Sequence, residues 1–298
     1  QCYTPDSMTI RHDGPGFSID DGPWKGRSLY DLYAEAQTPY EWFPELFVFA
    51  KEIGITCFAS VFDVTGIEVL ENVGTPAYKI ASFDLIDIPL IRNVAKTGKP
   101  IILSTGMASW EEIKEADDLL GPDYPHLFLH CISGYPTPLK EATLSNIANL
   151  QHRLAMPVGI SDHSLGIEIP IAATALGAVA IEKHLTLARS DGGPDAEFSL
   201  EPHEFIKMAE AVRDVWIALN PADQRRPASE APSAPFRKSI YVIAPVASGD
   251  ILSPENVRVI RPGFGLHPRF YDAVLGRCAA RDLSYGSPLS WGDLAEPS

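Results

Sequence analysis

The chain has 298 residues, of which 45% are hydrophobic and 21% are charged, a composition typical of a folded globular protein of one or two domains. Its 39 acidic and 24 basic residues give a net charge of −15, which argues against broad binding to nucleic acid or to an anionic membrane. No apolar run approaches the roughly 18 residues that a membrane helix needs, and no signal peptide is visible.

The four cysteines lie far apart in the sequence, and none forms a CxxC pair. They are Cys2, Cys57, Cys131 and Cys278. Because Cys57 and Cys131 stand inside apolar, strand-like runs, we expect free, buried thiols in a reducing cytoplasm.

From about residue 56 to residue 220, short β-rich runs alternate with amphipathic helical segments. The predicted strands are Thr56–Phe62, Ala77–Ser82, Pro100–Thr105, His126–Ser133, Pro157–His163 and Ala178–His184. The predicted helices include Asp63–Asn72, Asp87–Lys96, Ser109–Leu120, Glu168–Leu176 and Pro202–Leu219. This alternation predicts βα units in a parallel sheet, and the apolar strands indicate that helices cover it.

The α/β pattern predicts a TIM (β/α)8-type barrel that is N-terminally incomplete. No glycine-rich nucleotide-binding motif follows any of the strands, which favours a barrel over an open sheet. Six units are visible, whereas a closed barrel needs eight. Gln1–Tyr3 is interpreted as the tail of an earlier strand, and a helix is expected at Pro39–Gly54. We therefore expect the first strand, the first helix and most of the second strand to be absent from this sequence.

The C-terminal part has a different pattern. Residues 1–222 form the predicted barrel domain, and residues 223–236, rich in Pro, Ala and Ser, form a predicted linker. Residues 237–298 carry short β runs between turns, which predicts a small β-rich module. Because a core of this size is marginal by itself, we expect the module to dock on another surface.

Polar side chains stand at the ends of the predicted strands. They include Lys79, Ser82, Thr105, Ser133, His163 and His184. The carboxyl ends of parallel strands meet at one mouth of a barrel, where barrel enzymes place their active sites. His163 and His184 end neighbouring strands about 4.8 Å apart, so they could bind one metal ion with open coordination positions. Alternatively, they only form hydrogen bonds with carboxylates or the backbone.

Lys79 lies inside a run that should be buried, so its charge needs a compensating anion. It could bind a phosphate or carboxylate ligand, act as a Schiff-base nucleophile, or form half of an internal ion pair. Serine and threonine hydroxyls at neighbouring strand ends favour the anion site, because a phosphate needs several donors at once.

Other candidates lie on loops. Asp195, in a Gly-Gly-Pro-Asp segment, could hold a sugar hydroxyl or could be a turn residue. Tyr135 could line the pocket, and Arg261 could bind an anion or amide from the small module. The aromatic stretch Trp24–Trp42 could cover an apolar part of a substrate or could pack against itself.

Together these motifs resemble the sialic acid synthases of the N-acetylneuraminate synthase type, which condense phosphoenolpyruvate with an amino-sugar aldehyde. The matching segments are Tyr78–Ser82, Ser104–Met107, His130–Pro138, Gly159–His163, Ile181–His184 and Gly193–Asp195. The tail Arg237–Asp293 resembles the antifreeze-like (SAF) domain of that family. Pro23–Arg27, Leu29–Tyr33 and Thr38–Trp42 are most similar to its pseudaminic acid branch.

The resemblance implies a role for each matching residue. His163 and His184 would bind Mn²⁺ or Mg²⁺ and, with Lys79 and Glu182, would be catalytic. Phosphoenolpyruvate would be surrounded by Lys79, Ser82, Thr105, Ser133 and Ser161. The sugar would be contacted by Gln1, Tyr135, Glu182, Asp195 and Arg261, with Arg261 supplied by the partner subunit of a domain-swapped homodimer.

The implied reaction joins phosphoenolpyruvate to an open-chain acetamido sugar and releases phosphate by C–O cleavage. The acceptor implied by the branch is 2,4-diacetamido-2,4,6-trideoxy-L-altrose, and the product is pseudaminic acid. The alternatives are a synthase of N-acetylneuraminate or legionaminate, a Schiff-base aldolase using Lys79 or Lys183, and a non-catalytic truncated barrel whose SAF module binds a saccharide.

Overall fold

The computed structural model describes residues 1–22, 24–219 and 227–296. The chain divides into two compact units, Gln1–Asn220 and Pro221–Ser298. Residues 223–226 of the predicted linker lie outside the described residues, and Ala228–Phe236 forms 3-10 helical turns. None of the helices within the described ranges is both long and apolar enough to cross a membrane.

The first unit contains a sheet of six parallel strands that follow the order of the chain. The strands are β1 (Ala59–Ser60), β2 (Tyr78–Ile80), β3 (Ile101–Ser104), β4 (His126–Cys131), β5 (Val158–Asp162) and β6 (Ile181–Lys183). Cys2 forms a parallel bridge with Val61 beside β1, as expected for the tail of an earlier strand. The six strands and their helices form a half-barrel, which confirms the predicted fold class.

Helices lie before, between and after the strands of this half-barrel. They are α1 (Pro5–Met8), α2 (Leu29–Ala36), α3 (Phe43–Glu52), α4 (Val64–Asn72), α5 (Ile88–Ala95), α6 (Trp110–Leu120), α7 (Ser145–Leu154), α8 (Glu168–Ala175) and α9 (Pro202–Leu219). The start of α6 is fixed by a capping box, in which the Ser109 hydroxyl accepts a hydrogen bond from the Glu112 backbone N–H and the Glu112 carboxylate accepts one from the Ser109 N–H.

The strands are shorter than predicted. The two faces of the sheet that they form differ in polarity. The predicted strand Thr56–Phe62 is reduced to β1, because its ladder with β2 covers only two residue pairs. Tyr78 and Ile80 are fully buried in the apolar core that packs against the helices. Since side chains alternate along a strand, Lys79 points to the opposite face. That alternation gives the sheet an apolar outer face and a polar inner face.

The second unit is a small β-rich module with its own apolar core. The strands β7 (Ser239–Val242) and β8 (Val257–Ile260) pair antiparallel, and a short helix α10 (Tyr271–Val274) follows. Ile240, Val257 and Val274 are fully buried in its core. All four cysteines of the chain are free, but Cys57 and Cys278 are only partly buried. The prediction that Cys57 is buried is therefore wrong, because the ordered strand begins two residues after it.

Candidate active site

Lys79 is the charged group at the centre of the inner face and is only 4% exposed. Its Nζ donates a hydrogen bond to the carbonyl of Ile80 at 2.8 Å and lies 3.8 Å from Oε1 of Glu182. The Ser161 hydroxyl donates to the same carboxylate oxygen at 2.6 Å. Burial lowers the pKa of Lys79, and Glu182 opposes that shift. The internal ion pair is thus present but too long for a hydrogen bond, which leaves donors of the ammonium group available.

His163 and His184 meet at the mouth of the sheet, with ring centroids 5.3 Å apart and ring planes at 57°. Nδ1 of His163 lies 3.0 Å from the carbonyl of Ile132, which can only accept a hydrogen bond, so this nitrogen carries a proton. Burial lowers the pKa of His163, but the neighbouring Cys131, the Ile132 carbonyl and Glu182 raise it, and the net shift is upward. Nδ1 of His184 lies 3.5 Å from Oδ2 of Asp195. Burial and the neighbouring His163 lower the pKa of His184 to about 4, so its imidazole is neutral at pH 7.

This pair fits a divalent metal ion that keeps several open positions. Neutral imidazoles are common metal ligands, and the backbone bond to the far nitrogen of His163 orients its ring as in other metal sites. Within the ranges that the structure covers, no group of three or more His, Cys, Asp or Glu side chains forms a fuller metal cluster. Any ion held here would therefore depend on the two histidines.

Aromatic rings line the same mouth. The Tyr135 ring lies 4.3 Å from His163 and 5.3 Å from Phe198, and Phe198 lies 5.0 Å from His184. Trp24 contacts the Tyr135 ring at 5.6 Å. The histidine pair therefore lies next to an apolar wall, which suits the carbon skeleton of a small polar substrate.

Hydroxyl groups converge near the end of β3. The Ser82 hydroxyl accepts a hydrogen bond from the backbone N–H of Gly106 at 3.0 Å. A Cβ atom at Gly106 would stand 2.1 Å from Oγ of Ser133 and 2.8 Å from Oγ of Ser82. Only glycine therefore lets the two serine hydroxyls and this N–H approach one another, which makes a small donor-rich cradle.

The structure separates Thr105 from its neighbour Ser104. The Thr105 hydroxyl donates to the carbonyl of Leu129 at 3.1 Å, so it is committed to the strand beside it. The Ser104 hydroxyl is buried and has no hydrogen-bond partner among the residues that the structure describes. Because buried polar groups are normally paired, this hydroxyl is a further ligand candidate, which the sequence analysis did not name. The role of Thr105 in binding phosphoenolpyruvate stays a prediction.

Asp84 is a second residue that the sequence analysis missed. It follows β2, and its Oδ2 atom is buried and finds no hydrogen-bond partner within the described part of the chain. Burial and the neighbouring Asp87 raise the pKa of Asp84 to about 6, and Lys79 partly opposes the shift. A carboxyl group with such a pKa exchanges its proton near neutral pH, which suits proton transfer. In the sequence, Asp84 comes after a strand-like run and before a Leu-Ile pair. This local pattern gives no sign that the carboxyl group is buried.

We expect Asp84→Asn to change how stability depends on pH. The raised pKa means that protonated Asp84 favours the folded state, so this contribution is full below about pH 4 and is lost as pH rises through about 6. The free energy of unfolding of the variant, relative to that of the unmodified chain, should rise by about 3 kcal/mol from pH 4 to pH 7, which corresponds to about two pKa units. Urea unfolding of both proteins at both pH values measures this change. The same difference in stability at pH 4 and at pH 7 would contradict the prediction.

Lys183 faces away from the mouth. Its Nζ lies 2.5 Å from Oδ2 of Asp162, both side chains are almost fully buried, and Nζ also donates to the carbonyl of Ser164. An ammonium group held in this way is not free to attack a carbonyl carbon. The structure therefore does not support Lys183 as a Schiff-base nucleophile.

Lys183→Met should destabilise the fold by about 3–5 kcal/mol, because it leaves the buried carboxylate of Asp162 without its partner. Lys114→Met is the matched control, since Lys114 and Asp118 form an exposed pair on α6 whose loss should cost less than about 1 kcal/mol. Urea unfolding of the two variants measures both effects. Equal effects would contradict the assigned structural role of Lys183.

Two further residues have predicted roles in sugar binding. Gln1 has an exposed side chain and precedes the residue that bridges to Val61. Arg261 is exposed and belongs to the second unit, immediately after β8. Their roles in sugar binding stay predictions.

Residues 1–224 match the model of the NeuB family, and residues 237–295 match the SAF domain. The chain therefore belongs to the NeuB family and is an enzyme of that family with a C-terminal SAF domain.

Individual relatives agree with this assignment. The chain is 41% identical over 297 residues to a pseudaminic acid synthase of Campylobacter jejuni (strain 81-176), covering 98% of this chain and 86% of that protein. It is 38% identical to a pseudaminic acid synthase of Helicobacter pylori, covering 99% and 87%. The crystal structure of an N-acetylneuraminic acid synthetase from Leptospira borgpetersenii, in complex with citrate, superposes with a TM-score of 0.65 at 36% identity, covering 69% and 72%.

Proposed function

We propose that the chain condenses phosphoenolpyruvate with 2,4-diacetamido-2,4,6-trideoxy-L-altrose to give pseudaminic acid and phosphate. The observation that carries the proposal is the combination at one mouth of a histidine pair with a buried lysine that still has free donors. The early-loop motifs and the pseudaminic acid synthases among the relatives support the choice of acceptor.

The phosphoenolpyruvate half of the site is built from fixed donors. Lys79 supplies the positive charge for the phosphate, and the hydroxyls of Ser82, Thr105, Ser133 and Ser161 supply hydrogen bonds, with Ser104 as a further donor. These groups come from the ends of neighbouring strands, which lie at one edge of the sheet. Fixed donors also stabilise the charge that develops on the phosphate as it leaves.

His163 and His184 would hold the divalent metal ion, Mn²⁺ or Mg²⁺. Such an ion polarises the aldehyde oxygen of the open-chain sugar and makes the aldehyde carbon electrophilic. Asp195, whose carboxylate faces His184, and Glu182 would accept hydrogen bonds from sugar hydroxyls. Tyr135 would pack against the sugar skeleton.

The bonds change in a defined order. The methylene carbon of phosphoenolpyruvate attacks the aldehyde carbon, and the new alkoxide takes up a proton. Water adds to the cationic carbon that still bears the phosphate ester and loses a proton, for which Asp84 is a suitable acceptor. The tetrahedral adduct then breaks its C–O bond to phosphate, so sugar, phosphoenolpyruvate and water yield the nonulosonic acid and inorganic phosphate.

The test is an assay of phosphate release from phosphoenolpyruvate with the proposed acceptor and with N-acetylmannosamine, each with and without chelator. We expect release with the diacetamido sugar that is lost in chelator and restored by Mn²⁺ or Mg²⁺. Preference for N-acetylmannosamine would instead indicate an N-acetylneuraminate synthase. The acceptor of a legionaminate synthase serves as the third arm. Sugar binding without phosphate release would favour the non-catalytic alternative.

The aldolase alternative is separated by borohydride trapping. A Schiff base on Lys79 would be reduced to a stable adduct, and its formation would not depend on a metal ion. We expect no adduct, because Lys79 is assigned to the phosphate.

We also infer that the enzyme works in the cytoplasm as a domain-swapped homodimer, with Arg261 reaching the sugar from the partner subunit. The free cysteines and the family resemblance support this inference. Mixing inactive Arg261→Ala and His163→Ala chains tests it, because exchange of subunits should restore one competent site in a mixed dimer.

A further inference from the structure

A hairpin between Phe17 and Leu29 precedes α2. Its two arms are joined by backbone hydrogen bonds, from the N–H of Ile19 to the carbonyl of Arg27 at 2.9 Å and from the N–H of Leu29 to the carbonyl of Phe17 at 2.9 Å. Trp24 stands at the tip of this hairpin. The mechanism above does not use the hairpin, and the residues of its tip are largely exposed, whereas Trp24 is partly buried.

Trp24 joins two parts of the site that are far apart in sequence. Its indole Nε1–H donates a hydrogen bond to the carbonyl of Pro194 at 2.8 Å. Its ring lies 5.6 Å from that of Tyr135, which packs on His163 at 4.3 Å. Pro194 directly precedes Asp195, the carboxylate that faces His184. One side chain therefore contacts both the loop that carries the acid and the ring that covers the histidine pair.

The loop that carries Asp195 needs such an anchor on one side. After Asp195, the Ser199 hydroxyl donates to the Asp195 carbonyl at 2.6 Å, which holds the C-terminal side. Before Pro194, Gly192 and Gly193 adopt φ values of 75° and 111°, and glycine leaves the backbone many alternatives there. Local backbone bonds join Gly192 to Arg189 and Ala196 to Gly193, and the bond to Trp24 adds an anchor from a distant part of the sequence.

The contacts of Trp24 lie on the sugar half of the site alone. In the portion of the chain that the structure covers, no hydrogen bond or ring contact joins Trp24 to Lys79 or to the serine cradle. Replacement of Trp24 should therefore weaken the binding of the acceptor sugar and leave the binding of phosphoenolpyruvate unchanged.

We infer that Trp24 is a positioning residue for the acceptor sugar, which fixes Asp195 and Tyr135 against the open-chain acetamido sugar. This inference rests on the proposed function. The indole N–H of Trp24 holds the loop that carries Asp195. The indole ring extends the apolar wall of Tyr135 and Phe198, against which a sugar methyl group packs. The hairpin thereby recognises a deoxygenated, acylated acceptor in preference to one that ends in a hydroxymethyl group.

The test compares Trp24→Phe, which keeps an aromatic ring but removes the N–H donor, with Trp24→Ala, which removes both. Trp216→Phe is the matched control, because Trp216 is 59% exposed on α9. We expect Trp24→Phe to raise the KM for the sugar about tenfold, the equivalent of one lost hydrogen bond of about 1.4 kcal/mol. Trp24→Ala should raise it further and reduce the preference for the diacetamido sugar over N-acetylmannosamine. The KM for phosphoenolpyruvate should stay within about twofold, and the control should match the unmodified enzyme.

Three results would overturn the inference: an unchanged KM for the sugar in both variants, an equal rise in both KM values, or the same effect in Trp216→Phe. Calorimetric binding of the sugar to each variant, without phosphoenolpyruvate, separates this inference from the proposed function. If the unmodified enzyme binds the sugar but releases no phosphate, the proposed function fails. Weaker sugar binding by Trp24→Phe would even then support the positioning role, and equal binding would refute it.

Discussion

His163→Ala is expected to lower the rate of condensation by about three orders of magnitude, and His184→Ala should do the same. Polarisation of a carbonyl group by a metal ion contributes several kcal/mol to transition-state stabilisation, and each 1.4 kcal/mol is a factor of ten in rate. The chain offers two histidines at this mouth, with ring centroids 5.3 Å apart. Removal of either one halves the ligand set.

The measurement pairs phosphate release with metal binding. Titration of Mn²⁺, followed by electron paramagnetic resonance, should show a tight site in the unmodified chain that is lost in both variants. His152→Ala is the control, because His152 is exposed in the last turn of α7 and lies in the part of the helix that faces solvent. Full turnover of either variant in metal-free buffer would refute the assignment.

Lys79→Met should reduce kcat/KM for phosphoenolpyruvate about a hundredfold. A hydrogen bond to a charged group contributes about 1.5–3 kcal/mol, and at 1.4 kcal/mol per factor of ten this is about ten- to hundredfold. The upper value is expected because Lys79 is only 4% exposed, so water cannot replace its charge. The effect should appear mainly in phosphoenolpyruvate binding, since the sugar half of the site keeps its groups.

Direct binding provides the control for this prediction. Calorimetry with phosphoenolpyruvate should show weak binding to Lys79→Met and near-normal binding to Lys99→Met, which removes a partly exposed ammonium group that pairs with Glu71. If Lys79→Met bound phosphoenolpyruvate normally yet lost activity, and if borohydride trapped sugar on the unmodified chain, Lys79 would be a nucleophile and the aldolase reading would stand.

The sequence was sufficient to predict the parallel βα units and the mouth where the polar groups gather. This succeeded because buried strands and amphipathic helices have different periods, and because parallel strands all end at the same edge. His163 and His184 are strand-end residues on neighbouring strands, so the topology alone brought them together.

What the sequence could not provide was the direction of each side chain at a strand end. Ser104 and Thr105 are adjacent buried hydroxyl residues, and only the packing at the end of β3 decides that the Thr105 hydroxyl bonds to the Leu129 carbonyl while the Ser104 hydroxyl has no partner among the described residues. Similarly, the environment of Asp84 depends on burial and on the charges of Asp87 and Lys79, which arise from packing. Hydroxyl and carboxyl ligands were therefore harder to predict than the strands that carry them.

The alternation along β2 has an evolutionary consequence. Tyr78 and Ile80 face the helices while Lys79 faces the mouth, so an inserted or deleted codon within this strand would exchange the two faces. A single such change would place the Lys79 ammonium group in the apolar core and the Tyr78 ring at the mouth of the sheet. Selection should therefore act strongly against insertions and deletions within the strands, whereas the turns beyond the strand ends can vary and could change the choice of acceptor.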